Sequence, residues 1–483
     1  MIKSLTILLF LALLLTAIPT ATFATNHTIS NEAEEHILNE LNRANIPNAA
    51  IAVIQGGETS YILKDSAHDT LFMIGSVSKS FTAFGVLLLE DMGLLSVNDP
   101  VHQHLPWFEV YYNGVPVPHD DITVYNLLQH TSGLINSPSI TSEMITDDFI
   151  SQFSEMELAF YPSSEFIYGN VNYVLLGLLI ETVSGQSYSE FMTQQVLQPL
   201  GLYNTFADMQ NAHETGRVIG GNRPGFLLVH PWNPPIAQLE VPTGFIYSDI
   251  SDLARWAGIH LGTVEITEQF ARVVQRSHED NHSSENPFVD KDFFYAAGWF
   301  VHLENGEIEH GGLTHGYSTI VSFFPHDDIA VIALGNLLRY SMMHPFRTLV
   351  LDVLEDGTFS KVGMDLYVIL DIIFAIITAL GIVCIVMFAW LVIKLIKKVR
   401  NGTKMKFNLT ISKVAWLIIP VVSLLALIAF YIVPYAVFHF PRAEFVTFLP
   451  ASITTTYIAL WIIVLYSWCS WLARVFVNPQ VEK

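Results

Sequence analysis

Phe72-Met73-Ile74-Gly75-Ser76-Val77-Ser78-Lys79-Ser80-Phe81-Thr82-Ala83 sets a serine and a lysine three positions apart at the head of an apolar segment. Ser76 to Met92 reads as a helix that ends at Gly93. Side chains at i and i+3 share a helix face and can meet. A serine hydroxyl is a poor nucleophile until a base takes its proton. A lysine buried beside it loses charge by desolvation and can serve as that base. Gly75 permits a tight entry to the helix, where backbone N–H groups face a developing oxyanion.

Two further stretches matter downstream. Tyr168-Gly169-Asn170 places a phenol and an amide within reach of one cleft, the phenol as a proton relay and the amide as an orienting group. His310-Gly311-Gly312 pairs glycines that let backbone approach a bound substrate. Each motif alone is a common pattern, and a lone His-Gly-Gly reads as a turn. The intervening sequence supplies a scaffold. Asn31–Ala44 is an amphipathic helix, Ala49–Gln55 an apolar strand, and Ser60–Leu63 its return strand after Gly56-Gly57. Ile122–Leu128, Asn172–Val183 and Ser187–Gln194 read as helices. Strands return at Ala297–Leu303, Ser318–Phe324 and Ile329–Leu334, and Met342–Leu354 closes as a helix. Strands at both ends with helices between predict an α/β (α+β) fold: one antiparallel sheet, flanking terminal helices and an inserted helical lobe.

Taken as a set, the motifs resemble the serine β-lactamase and penicillin-binding protein superfamily, in its class C β-lactamase, D-peptidase and FmtA-like branch. The resemblance runs through Phe72–Ala83, Leu94-Leu95-Ser96-Val97-Asn98-Asp99-Pro100 and Leu127-Leu128-Gln129-His130-Thr131-Ser132-Gly133-Leu134. It continues through Tyr168-Gly169-Asn170, Pro199-Leu200-Gly201-Leu202, Pro242-Thr243-Gly244 and His310-Gly311-Gly312, covering about residues 30–355. It implies a β-lactamase/transpeptidase-like fold, Ser76 as acylated nucleophile, Lys79 as general base and Tyr168 as proton shuttle. It also implies Asn170, His310, Gly311 and Gly312 as substrate-orienting residues, and the N–H groups of Ser76 and Leu313 as oxyanion hole. Two positions depart from the family: Gly169 stands where serine is frequent, and His310 stands in place of a lysine that supplies a fixed positive charge. A histidine is mostly neutral at pH 7, which weakens recognition of a carboxylate.

Composition sets the surroundings. Thr25–Lys361 holds 41 acidic residues against 12 Lys plus Arg, about −29 net, which argues against nucleic acid as a partner. The two cysteines, Cys384 and Cys469, lie in C-terminal apolar runs, so the preceding domain has no disulfide, thiolate metal site or cysteine nucleophile. No metal and no cofactor is implied. Met1–Ala24 reads as a signal peptide, with an uncleaved anchor as the alternative. Leu366–Ile393, Val414–Phe438 and Phe445–Trp468 are each long enough to cross a bilayer. The loop 394–413 carries seven positive charges and no acid, which places it in the cytoplasm. The short His439–Glu444 connection then lies outside, and the tail 469–483 inside. Asp371, near the start of the first span, reads as an interfacial residue.

The expected protein is a multi-pass cell-membrane enzyme whose domain 25–361 faces out and hydrolyses D-amino-acid amides or esters of the cell envelope. A β-lactamase conferring resistance and a catalytically weak sensor or scaffold are the competing readings.

Overall fold

Ala49–Gln55 has no polar residue before its last, and every position but that last is buried. Burial at odd and even positions alike means that both faces of this strand are covered. The computed structural model describes residues 29–134, 140, 144, 146–279, 292–363, 365–401, 406–407, 409–438 and 449–477. The chain forms two units, one of them Pro224–His230 together with the segment from Leu366 onward, the other the rest of the described chain.

In the larger unit, helix α1 (Asn31–Arg43) starts at Ser30, whose hydroxyl accepts from Ala33 N at 3.1 Å. Strands β1 (Ala49–Gln55) and β2 (Glu58–Lys64) follow. Helices α2 (Ser78–Asp91), α3 (Asn170–Ser184) and α4 (Ile250–Leu261) fill the middle of the chain. Strands β3 (Phe293–Tyr295), β4 (Phe300–His302), β5 (Ile308–Thr314), β6 (Tyr317–Phe324) and β7 (Ile329–Gly335) return, and α5 (His344–Asp356) closes. The seven strands form one antiparallel sheet in the order β2-β1-β7-β6-β5-β4-β3. Its centre joins the two ends of the unit, Ala49 opposite Gly335 and Gln55 opposite Ile329. Helix α4 packs on β1, β6 and β7, and α5 packs on β6 and β7. Helix α2 is buried at every position from Ser78 to Leu89, as befits the central helix of its layer.

The local readings differ from the structure at a few ends. The helix expected from Ile122 starts at Val124, because Thr123 caps it in a reciprocal arrangement with Asn126. The strand expected from Ala297 begins at Phe300. Gly298 turns there with φ +79°, and a Cβ on it would lie 2.6 Å from Ser80 Cα. His310-Gly311-Gly312 lies within β5 and not in a turn, since β6 pairs with it residue by residue, His310 opposite Val321 and Gly312 opposite Thr319.

Among the described residues, the second unit has three helices long and apolar enough to cross a membrane: Leu366–Arg400, Ile411–Ile432 and Ser452–Val475. The first and third pack closely at Gly381, where a Cβ would stand 2.6 Å from that of Ala459. Thr378 and Thr455 hydroxyls meet at 3.2 Å, and Thr456 Oγ1 donates to Phe374 O at 3.1 Å. Small residues with hydroxyl bonds are how helices associate in lipid, where apolar burial gives no drive. The signal peptide 1–24, the connection His439–Glu444, residues 402–405 of the basic loop and the tail end 478–483 lie outside the described residues.

Candidate active site

Gly75 sits at φ +58°, the left-handed region, and starts a single 3₁₀ turn, Gly75–Val77, that runs into α2. The turn is fixed from several sides. Ile74 N donates to Ile246 O at 3.0 Å, and Ile246 N donates to Ser78 Oγ at 3.1 Å. Trp256 stacks on Phe81 at 4.4 Å and donates Nε1–H to Ser80 Oγ at 3.2 Å. Ser76 is thereby held at a helix head, half-buried.

Lys79 is completely buried. Its Nζ is 2.6 Å from Thr243 O, 2.8 Å from Asn170 Oδ1 and 3.2 Å from Ser76 Oγ. It also lies 4.8 Å from the centre of the Tyr168 ring. Burial holds its ammonium well below the usual lysine range.

Tyr168-Gly169-Asn170 leads into α3, with Asn170 its first residue. The Tyr168 hydroxyl is shielded from solvent, and burial pushes the phenol above its usual range, an effect that nearby Ser76 partly offsets. The backbone crowds Gly169: a Cβ there would lie 2.8 Å from Leu134 O. The segment is braced by two groups that sequence reading did not assign to the site. His130, fully buried at φ +58°, has its Nδ1 3.3 Å from Gly169 N and 3.2 Å from Asn172 Nδ2. Its ring lies 4.4 Å from that of Tyr168. Ser132 donates its hydroxyl to Asn172 Oδ1 at 2.6 Å. The signal for both was the quoted Leu127–Leu134 stretch, whose polar residues are all buried up to Ser132.

Strand β5 brings the third motif to the same place. A Cβ on Gly312 would overlap Ile74 O, and one on Gly75 would stand 2.7 Å from Gly312 C and 2.8 Å from Leu313 N. The Ser76 turn and the Gly312-Leu313 backbone are thus in direct contact, and both glycines are required for it. His310 is 2% exposed. Its Nδ1 lies 2.7 Å from Gly311 O, and its Nε2 lies 3.1 Å from the Tyr295 hydroxyl. With Nδ1–H donating to the carbonyl, Nε2 accepts from Tyr295, and both nitrogens are engaged within the protein. Burial, with the Lys79 charge nearby, lowers the His310 pKa to about 3. His310 is therefore buried and neutral. Tyr295 lacked any local signal, because its role depends on a strand partner.

A serine at a helix head, a buried lysine one turn on, a phenol beside them and a glycine-lined strand edge are thus brought together. The family model described as Beta-lactamase matches residues 33–352. This chain belongs to the beta-lactamase family. The chain is thus a serine hydrolase of the beta-lactamase and penicillin-binding protein family. It is 26% identical to "Protein flp" of Staphylococcus aureus (strain NCTC 8325 / PS 47), over 89% of this chain and 90% of that protein. It is 34% identical to "Penicillin-binding protein 4*" of Bacillus subtilis (strain 168), over 57% of each. A class C beta-lactamase structure superposes with a TM-score of 0.57 at 19% identity, covering 67% of this chain and 94% of that one. A penicillin-binding protein homologue from Pyrococcus abyssi gives 0.53 at 23% identity, covering 63% and 73%. The beta-lactamase fold expected from the sequence is the one observed.

Proposed function

We propose that this chain is a membrane-anchored serine hydrolase whose catalytic unit faces out of the cytoplasm and cleaves D-amino-acid amides or esters of the cell envelope through an acyl-enzyme on Ser76. The observation that carries this reading is the triple contact of Lys79. A neutral lysine amine has two N–H bonds and one lone pair. Thr243 O and Asn170 Oδ1 accept the two N–H bonds, which leaves the lone pair for the Ser76 hydroxyl proton at 3.2 Å. Ser76 Oγ attacks the carbonyl as Lys79 takes its proton, and the N–H groups of Ser76 and Leu313 receive the oxyanion. Lys79 passes that proton through Tyr168 to the leaving group, and a water that gives up a proton along the same path then adds to the acyl carbonyl, releasing the acid and the Ser76 hydroxyl. The neutral His310 favours scissile groups without a free carboxylate beside them, which supports amides and esters over β-lactam hydrolysis.

The test uses the full chain in detergent, incubated with D-alanyl esters and amides and with a penicillin, read by intact mass and by product release. The expected result is turnover of an ester or amide and a covalent adduct that Ser76→Ala abolishes, with turnover down by about 10³-fold or more. Unchanged turnover in Ser76→Ala overturns the acyl-enzyme. Rapid penicillin hydrolysis without ester or amide turnover replaces this reading by that of a β-lactamase.

A further inference from the structure

The first apolar helix carries one acid inside its run, Asp371, and it is 1% exposed. Its carboxylate accepts N–H bonds from Phe226 at 2.8 Å and Leu227 at 2.6 Å, and a hydroxyl bond from Ser452 at 2.5 Å. Phe226 and Leu227 are the tip of a hairpin with strands Asn222–Gly225 and Leu228–Pro231. Ala451 N donates to Pro224 O at 2.8 Å, and a Cβ on Gly225 would stand 2.8 Å from that of Ala451. The backbone of the tip is thus bound to the helices, and its side chains are left over.

Those side chains are Phe226, Leu227 and Leu228, exposed by 40%, 58% and 63%. Phe226 and Leu227 have φ of +53° and +62°. Turn positions of this kind favour asparagine and glycine, so two large apolar residues suit neither the backbone nor water. An apolar solvent removes the second objection. Asp371 lies between Ile369 and Ile373, themselves exposed by 40% and 43%, so the tip is fastened where the helix also shows apolar surface. The helix has 35 residues, about 52 Å at ~1.5 Å per residue against ~30 Å of hydrocarbon. Asp371 stands about 8 Å from its start, within the surplus that reaches the headgroup layer.

We propose that the Phe226–Leu228 tip is a fourth membrane contact of this chain, seated at the headgroup–acyl boundary and held at that depth by Asp371. The partner is the lipid surface, met by an apolar tip as interfacial anchors meet it. The proposal rests on the reading of the three helices as membrane spans.

The experiment places an environment-sensitive fluorophore on Leu228→Cys in the full chain with Cys384→Ser and Cys469→Ser, reconstituted in phosphatidylcholine–phosphatidylglycerol nanodiscs at one copy per disc. Labels on Ile382→Cys, mid-helix and 57% exposed, and on Tyr203→Cys, 72% exposed, serve as lipid and water references. The expected Leu228 emission is blue-shifted from that of Tyr203 and quenched most by a nitroxide high on the acyl chain, whereas Ile382 is quenched most by a deep one. A Leu228 label that emits like Tyr203 while Ile382 remains quenched overturns the proposal and leaves the spans intact. Loss of quenching at Ile382 overturns both. A blue shift that appears only with two copies per disc reassigns the tip to a second copy of the chain. In Asp371→Ala the Leu228 emission is expected to move toward that of Tyr203 with Ile382 quenching unchanged; an unmoved Leu228 emission removes Asp371 as the holder.

Discussion

A side chain as flexible as lysine acts as a base only where its proton is unwelcome and its lone pair is aimed. Burial supplies the first condition at Lys79, and the two acceptors at Thr243 and Asn170 supply the second. Because the folded pKa is lowered, the amine is protonated below it and free above it. Acylation by the full chain should therefore rise with pH through this lowered pKa and level off; a rate that falls or stays flat from acid to alkaline pH would exclude Lys79 as base. Lys79→Arg keeps the positive charge but offers no lone pair, and acylation is expected to drop by about 10²- to 10⁴-fold. The opposite holds for His310. It stays neutral down to about 3 and contributes shape and two internal hydrogen bonds. His310→Gln should leave kcat/KM for an uncharged ester within about tenfold and its pH profile unaltered, at a stability cost of about 1 kcal/mol. A profile that loses a limb near neutral pH in the variant would show that the imidazole had carried charge to the substrate.

Strand β5 and the turn before α2 meet through glycine backbone alone. The contact brings Leu313 N against Gly75, the residue before Ser76, and no side chain fits between. Gly312→Ala forces the strand off the Ile74 carbonyl. A displacement near 1 Å in a site of this kind costs about 10²-fold, so acylation should fall by at least that factor while the neutral Lys79 pH profile persists. Wild-type acylation in Gly312→Ala would mean that the strand edge takes no part in the reaction. The same element shows where local reading stops. Glycines and a histidine in sequence describe a turn, and only the seven-residue pairing with Tyr317–Phe324 makes them a strand. By contrast Ala49–Gln55 was legible from its own composition, since every side chain before Gln55 is apolar.

Among the described residues of the larger unit, histidines whose pKa burial lowers outnumber the buried aspartates whose pKa it raises. Burial lowers His310 to about 3 and His278 and His315 to about 4, and lowers His130 and His260 well below the ordinary 6.5. Between these values and 6.5 the unfolded chain binds protons that the folded chain refuses, so stability falls as pH falls, by up to about 1.4 kcal/mol per pH unit per histidine. Burial raises Asp249 to about 7 and raises Asp252, which has the opposite sign, but two carboxylates do not offset five histidines. Thermal unfolding should thus be insensitive to pH above about 7 and shift steadily downward from about 6.5 toward 4; a transition unmoved by acid over that window would mean that these rings are not held neutral. At this scale the division between sequence and structure becomes plain. The order of Ser76, Lys79, Tyr168, Asn170 and His310 is legible only as a set, through its resemblance to a known family, whereas the strands at both ends and the three long apolar segments follow from composition and periodicity within short windows. What the windows lack is the partner. Lys79 is oriented by residues 91 and 164 positions away, and Asp371 by backbone 145 positions away. The neutrality of His310 comes from its burial in the folded sheet, where Tyr295 also meets its ring. Desolvation and hydrogen bonding belong to the packed chain, and only the packed chain decides them.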